Sequence, residues 1–403
     1  MKRTFIFSCI KILVGVALLM TYCEVLVYYV TQMNCAWPTL NPLNEDKTIA
    51  KPIEEPLRIM VITDTHLLGS IDGYWVDKVR REWQMYMAFQ TAIKLHKPEV
   101  VFVLGDLLDE GQYCSEEEFD YNTKRFYDLF KLPEDIDMYI IVGNHDIGFH
   151  YRVTTHLNER FNKAFNATAV QLINIRGNNF VLVNSIALEG DDCFLCKPAE
   201  AELVRVEKEL KCLQNITCQK SNYSRPILMQ HYPLYRKSDE ECTDFDAAPY
   251  PEIMEPFKEK RECLSKEATT QLMEQINPRL ALSGHTHHGC TRKLPHPVKD
   301  GVEITIPSFN LRNKNNPNYL LGVFAANNYE LTKCEMPKES TIIAIYIFGI
   351  VLWVVFINWL KNRRKISYNK LLNKKLPFWY IKRGIQQRKQ YLKTFSPHFL
   401  EKF

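Results

Sequence analysis

Charge is missing from one 20-residue run of this 403-residue chain and all but missing from another. Thr341–Leu360 holds no Asp, Glu, Lys or Arg, and the 19 residues Ile12–Val30 hold a single acid, Glu24. Each run is long enough to cross about 30 Å of hydrocarbon as a helix, which argues against a wholly water-exposed chain. A cleaved signal peptide is the alternative for the first run; its length and the want of a small-x-small site before Asn34-Cys35 argue against it. Lys361-Asn362-Arg363-Arg364-Lys365 stops the second run too sharply for a buried core helix.

Acids are nearly absent from residues 361–403, which carry 13 Lys/Arg against Glu401, a net of +12. The whole chain is only +4, so residues 1–360 come to −8. An acidic body excludes nucleic acid as the partner. The tail is expected to lie along an anionic leaflet, with Phe378, Trp379 and Tyr380 at the interface. Positive charge at Met1-Lys2-Arg3 and in the tail places both termini in the cytosol and everything between the anchors in a lumen. The expected layout is a cytosolic stub (1–11), a transmembrane helix (12–30) and a lumenal linker (31–56). A catalytic domain (57–335), a second transmembrane helix (341–360) and a basic cytosolic tail (361–403) follow.

Internal repeats are also lacking, whereas cysteine is not scarce. Ten of the 12 cysteines lie between the anchors, where an oxidising lumen permits disulfides. Cys193-Phe194-Leu195-Cys196 has the spacing of half a zinc site, but no second Cys pair at ligand spacing sits nearby. A local disulfide framework with Cys212 and Cys218 is therefore expected, its pairing open. Three N-x-S/T sequons, at Asn166, Asn215 and Asn222, all fall between the anchors, as lumenal glycosylation requires.

Apolar runs of strand length occur at 57–63, 100–104, 138–142, 180–183, 227–229, 280–282 and 302–306, with a closing strand pair expected over 318–331. Helical patterns occupy 75–95, 116–130, 154–165, 200–213 and 264–276. Alternation of the two predicts an α/β domain with helices covering sheets. Residues 232–262, rich in Pro, acids and Tyr, read as a loop inserted over a site.

Chemistry-bearing groups recur where the apolar runs stop, the place at which α/β sheets collect ligands. Met60–Thr63 leads to Asp64 and His66, and Phe102–Gly105 to Asp106. Ile140–Gly143 leads to Asn144 and His145, Ile227–Gln230 to His231, and Leu280–Gly284 to His285 and His287. Any one of these reads as a capping or turn residue; five in order read as a metal site. Carboxylate, imidazole and amide together suit Mn²⁺, Zn²⁺ or Fe rather than a soft thiolate-bound ion. Asp109 and Asp146 are expected to orient imidazoles from behind the ligands. Arg312 is a candidate for a phosphate oxygen. His150 and His288 have no assigned role, and Asp191 and Asp192 read as solvated loop acids.

The set Asp-x-His, Gly-Asp-x-x-Asp, Gly-Asn-His-Asp, a later strand-end His and Gly-His-x-His resembles the calcineurin-like metallophosphoesterases over residues 57–335. That resemblance implies a four-layer α/β/β/α sandwich, here flanked by two transmembrane helices. It implies two divalent metal ions, with Asp64, His66 and His287 on one, and Asn144, His231 and His285 on the other. Asp106 would bridge both, and His145 would be the general acid.

Six segments are also similar to a membrane-anchored, GPI-trimming branch of the family. They are 64–69 (DTHLLG), 81–85 (REWQM), 143–151 (GNHDIGFHY), 231–236 (HYPLYR), 307–309 (PSF) and 312–317 (RNKNNP). This similarity implies a manganese-dependent phosphodiesterase that removes ethanolamine-phosphate from the second mannose of GPI anchors after attachment to protein. It further implies GPI-anchored proteins as partners, with cargo-export machinery beside them, in the early secretory pathway. The alternatives are a lumenal phosphohydrolase of the same fold acting on another lipid phosphate or a phosphoprotein, and a non-catalytic cargo receptor needing no metal. The last six residues carry no dilysine pair, so residence among endoplasmic reticulum exit sites, intermediate compartment and Golgi stays open.

Overall fold

The computed structural model describes residues 2–40, 55–188, 190–214, 223–326, 328–373 and 386. Two compact units result, one formed by residues 20–342 and the other by residues 1–19 with 343–403.

Two sheets build the larger unit. The first runs β11-β10-β1-β2-β3, from β1 (Leu57–Ile62), β2 (Val100–Leu104), β3 (Asp137–Ile141), β10 (Asn318–Ala325) and β11 (Asn328–Glu335). The second runs β4-β5-β6-β7-β9-β8. Its strands are β4 (Val170–Ile175), β5 (Asn178–Val183), β6 (Ile227–Gln230), β7 (Leu280–Ser283), β8 (Cys290–Lys293) and β9 (Val302–Thr305). Parallel pairing joins β1 to β2 and β2 to β3 in the first sheet, and β5 to β6, β6 to β7 and β7 to β9 in the second. Parallel strands are buried on both faces, which is why β2 reads Val-Val-Phe-Val-Leu without alternation. Ile59, Val61, Phe102 and Leu104 of the first sheet share one core with Phe180, Leu182, Met229 and Leu282 of the second.

Helices α3 (Trp75–His96), α4 (Glu116–Leu129), α5 (Asn144–Ile147), α6 (Thr155–Phe165), α7 (Cys196–Gln214) and α8 (Lys266–Ile276) connect the strands. Ser115 starts α4 by accepting from Glu118 N at 3.2 Å, and three glutamates in that first turn complement the helix dipole. The four-layer α/β expectation is met. The sequence reading lacked β4 and β8, whose half-exposed, partly polar residues give a weak strand pattern.

Near the N-terminus, α1 (Lys2–Thr21) passes through a π-helical turn (Tyr22–Leu26) into α2 (Val27–Gln32). Cys23, Val27, Tyr28 and Gln32 are buried. Glu24, the one acid of the apolar run, forms an ion pair with Arg80 of α3, and Gln32 donates to Ala88 O at 3.1 Å. The segments Ile10–Gln32 and Glu339–Arg363, of mean hydropathy 2.1 and 2.6, are each long and apolar enough to cross a membrane. The second belongs to α9 (Glu339–Asn373), which runs on past residue 360. Within the smaller unit, a Cβ on Gly349 would lie 2.6 Å from Leu19 Cδ1, so the glycine allows these helices to approach closely.

Disulfides join Cys35 to Cys334 and Cys242 to Cys290, and Cys212 is also disulfide-bonded. Cys193 is a free thiol, not a member of the expected local framework; Cys218 lies outside the described residues. The first part of the expected linker is held in place, with Trp37 Nε1 donating to His96 O at 2.9 Å.

Candidate metal centre

The five strand-end motifs meet. Asp64, His66 and His287 bring one ligand atom each to within 4.8 Å of one another, and so do Asp106, His231 and His285. Asn144 joins the second group, its Oδ1 lying 3.2 Å from His231 Nε2. Asp106 stands between the two, with Oδ2 3.2 Å from His231 Nε2 and 3.7 Å from His66 Nε2. That is the position of a bridging carboxylate.

Hydrogen bonds behind the imidazoles fix which nitrogen faces inward. His66 Nδ1 donates to Asp109 Oδ1 at 2.9 Å, His231 Nδ1 to Leu104 O at 2.7 Å and His285 Nε2 to Arg261 O at 2.6 Å. The remaining nitrogens carry lone pairs into the site. His66 Nε2 thus faces His287 Nε2 at 3.0 Å, both beside Asp64 Oδ1, a buried acceptor with no hydrogen-bond partner. Lone pairs and an orphaned carboxylate oxygen aimed at one point repel unless a cation or protons lie between them. The residues fit two metal ions.

The electrostatics of the bare site say the same. Burial opposes ionisation of Asp64 and Asp106. Even so, the flanking imidazoles of His287 and His66, 3.4 and 3.6 Å from Oδ1, hold Asp64 well below the usual carboxylate range, and His231, then His145, hold Asp106 down. Burial works against the charge of His66 too, but Asp109 and Asp64 push it up to about 10; Asp106 raises His231 to about 9. His285 goes the other way, to about 3, through burial and the neighbouring His231. Without a metal, protons do the cations' work.

Backbone strain marks the same residues. Asp64, His66, Asp106, His285 and His287 all have positive φ, between 44° and 73°. Left-handed non-glycine residues cost about 1–3 kcal/mol each and persist only where surroundings over-determine them. Here the surroundings include Ser308, Phe309 and Asn310, which the sequence reading did not single out for this role. Ser308 Oγ donates to Asp64 O at 2.7 Å, Phe309 N to Thr63 O at 2.8 Å and Asn310 Nδ2 to Thr65 O at 2.9 Å. Gly284 is required by close approach, since a Cβ there would sit 2.0 Å from Thr63 Oγ1 and 2.6 Å from Asp64 Oδ2.

Asp109 orients His66 as expected. Asp146 does not touch an imidazole; it accepts from Leu107 N, Leu108 N and Gly143 N, each at 2.9 Å, and so holds the loops carrying Asp106 and Asn144. Burial and the nearby Asp106 push its carboxyl up to about 7. Arg312 pairs with Asp77 of α3 rather than converging with the ligands. Asn166 is exposed at the end of α6, while Asn215 and Asn222 lie outside the described residues. His288 is buried against Glu252, with Nε2 3.3 Å from its carboxylate.

His145 completes the centre. Its ring stands edge-on to His66, 4.6 Å between centroids, and its Nδ1 donates to Asp109 O at 2.9 Å. The side chain is 39% exposed, so Nε2 is the nitrogen left for an incoming group. Beside His285 opens a cavity of about 520 Å³ lined by Glu252, Phe257, Lys258, Glu262 and Lys314. Most of these come from the inserted 232–262 loop, which also supplies the Arg261 carbonyl to His285.

Comparison with known proteins agrees with this geometry. The calcineurin-like phosphoesterase profile matches residues 57–289, from β1 to just past His287 and His288. The chain belongs to the calcineurin-like phosphoesterase family. It is 43% identical over 393 residues to Metallophosphoesterase 1 of Gallus gallus, covering 94% of each chain. It is 42% identical to Metallophosphoesterase 1 of Mus musculus, covering 83% of this chain and 85% of that one. Metallophosphoesterase 1 of Danio rerio is 41% identical, with 88% and 93% covered. This calcineurin-like phosphoesterase is therefore a metal-dependent hydrolase of phosphoesters, and its site is built for two ions.

Proposed function

We propose that this phosphoesterase removes the ethanolamine-phosphate side branch from the second mannose of GPI anchors after their attachment to protein, and so aids transport from the endoplasmic reticulum to the Golgi. The observation that carries the chemistry is the convergence of Asp64, His66, Asp106, Asn144, His231, His285 and His287 with Asp106 between the two groups. What favours the narrower substrate is similarity over 94% of the chain to a protein named Metallophosphoesterase 1.

When bound, two divalent cations, manganese in this proposal, neutralise the phosphoryl oxygens and acidify the attacking water. The protein's own contribution is positional. Asp106 and Asp64 set the negative charge that places the cations, and Asp109 and Leu104 O hold His66 and His231 in the ligating tautomer. His145, held by Asp109 O, presents Nε2 to the leaving oxygen. Water oxygen joins phosphorus and gives up a proton to solvent, the bond from phosphorus to the mannosyl oxygen breaks, and His145, protonated on both nitrogens for this step, delivers its Nε2 proton to that oxygen and regains one from solvent.

A lumenal catalytic domain with both termini cytosolic belongs to the same proposal. The Cys35–Cys334 and Cys242–Cys290 disulfides favour an oxidising compartment. GPI-anchored proteins are the partners, brought to the enzyme by their own lipid; tethering both to one membrane raises local concentration without new contacts. Mass spectrometry of GPI glycans from cells lacking this protein tests the reading. Retained ethanolamine-phosphate on the second mannose is expected, and unchanged glycans with a changed lipid-phosphate or phosphoprotein pool would overturn it.

A further inference from the structure

Away from the metal centre, His150, Asp191, Cys193 and Cys196 bring four ligand atoms to within 4.8 Å of one another. We propose that these four side chains form a closed, tetrahedral zinc site that pins the His145 loop to the start of α7. No step of phosphoester hydrolysis uses these residues. The half-site spacing of Cys193 and Cys196 is completed by Asp191, two residues before the first cysteine, and by His150 from the His145 loop, not by a second Cys pair.

The histidine geometry is that of a metal ligand. His150 Nδ1 faces Ile186 O at 3.1 Å and its Nε2 faces Asp191 Oδ2 at 2.9 Å. A neutral imidazole has one N–H and cannot donate to two acceptors. The donation to Ile186 fixes the tautomer with the Nε2 lone pair turned toward Asp191, and a cation there removes the repulsion. A protonated ring would also satisfy both contacts, but it leaves the two sulfurs unexplained.

Those sulfurs are arranged as zinc knuckles arrange them. Asp191 Oδ1 accepts from Cys193 N at 3.2 Å and lies 3.2 Å from Cys196 Sγ. Cys193 Sγ accepts from Cys196 N at 2.9 Å, which fixes the direction in which the sulfur points. Cys196 is the first residue of the 19-residue helix α7, where the helix dipole favours a thiolate. Zn–S of about 2.3 Å and Zn–N or Zn–O of about 2.0–2.2 Å put tetrahedral ligands about 3.3–3.8 Å apart, and these four atoms lie within 4.8 Å of one another. Two thiolates, a carboxylate and a neutral imidazole leave a net charge of −1 around Zn²⁺, and each thiol gives up its proton on binding.

Placement gives the site a purpose. His150 follows His145 by five residues, in the short turn His150–Arg152. Its partner carbonyl belongs to Ile186, next to Ser185, whose Oγ accepts from Tyr232 N beside His231 at 3.1 Å. With no open coordination position the ion is structural: it anchors the loop that carries His145 to the start of α7.

Cobalt tests this without interference from the active centre, whose ligands include no sulfur. The full-length protein in detergent, stripped and reloaded with Co²⁺, is expected to show a thiolate-to-cobalt charge-transfer band that persists in Asp106→Ala and vanishes in Cys193→Ser. Metal analysis of Zn²⁺-loaded wild type should exceed Cys193→Ser by one zinc per chain, with His150→Ala losing the same equivalent. Non-reducing peptide mapping of the wild type, which needs no variant to fold, should find residues 193 and 196 both alkylatable once metal is removed. A Cys193–Cys196 disulfide in that map, or a cobalt spectrum without a thiolate band, overturns the site.

Discussion

The main-chain carbonyl of Asp109 accepts from His145 Nδ1 at 2.9 Å, which leaves His145 one nitrogen for catalysis. His145 is not a member of either ligand trio, so its removal should separate proton delivery from metal binding. His145→Ala is expected to lose about 10²–10⁴-fold in kcat toward a diester with an alkoxide leaving group, the usual worth of a positioned acid. Its metal content by elemental analysis should equal that of the wild type. Toward a nitrophenyl ester, whose leaving group needs no proton, the same variant should lose far less. Equal losses on both substrates would make His145 a binding group.

Metal affinity should depend steeply on pH, with a sign set by the site's own imidazoles. In the bare site His66 and His231 are raised from 6.5 to about 10 and about 9. A raised folded pKa means that their protons stabilise the metal-free protein fully below about 6.5, a contribution lost as pH rises through 9 and 10. Cations compete with those same protons. Binding at pH 7 should therefore release close to two protons, and affinity should climb until both rings are neutral. Calorimetry of Mn²⁺ binding, which thiolates do not favour, in buffers of different ionisation enthalpy counts them; no buffer dependence would mean the imidazoles are already neutral.

How far the fold and site were legible in the chain depends on what each residue's pattern reports. β2, from Val100 to Leu104, is apolar throughout because it is buried on both faces, so its bounds were readable to the residue. β8, Cys-Thr-Arg-Lys at a sheet edge, has one buried residue, and burial is what periodicity detects. The ligands were legible because chemistry at strand ends is local information. Their left-handed φ values and the Ser308–Asn310 support were not, since both arise from contacts 244 or 245 residues apart. Glu24 is similar: alone in an apolar run it looks like a flaw, and only α3 supplies Arg80 to explain it.

That distant support makes Ser308 a sensitive position. Its hydroxyl donates to Asp64 O and accepts from Asn310 N at 3.0 Å, both buried, and accepts from the half-buried Asn313 Nδ2 at 2.8 Å. Ser308→Ala unpairs an acceptor and two donors, at about 1–3 kcal/mol per buried group left unsatisfied. Because Asp64 sits at a strained φ of 54°, part of that should appear as relaxation of the ligand itself. A 10–100-fold loss of metal affinity is expected, as for other outer-shell partners. Titration of metal by activity and by thermal shift would measure it. A destabilised variant with wild-type affinity would leave Ser308 a packing residue only.

The Cys35–Cys334 bridge makes a prediction of the opposite kind, about stability without catalysis. It closes a loop of 299 residues, tying the chain just past α2 to β11. Loop-closure entropy grows only logarithmically, so even this span is worth about 2–5 kcal/mol against the unfolded state. Neither cysteine touches a ligand. A Cys35→Ser/Cys334→Ser double variant should therefore keep kcat and metal content while unfolding at lower denaturant in detergent. The chain near α2 also has native contacts independent of the bridge, through Gln32 to Ala88 O and Trp37 to His96 O. Those contacts should keep the folded geometry, so the loss belongs to the unfolded ensemble. An unchanged midpoint would mean that this ensemble already holds the two ends close, whereas lost activity would mean that the bridge shapes the site.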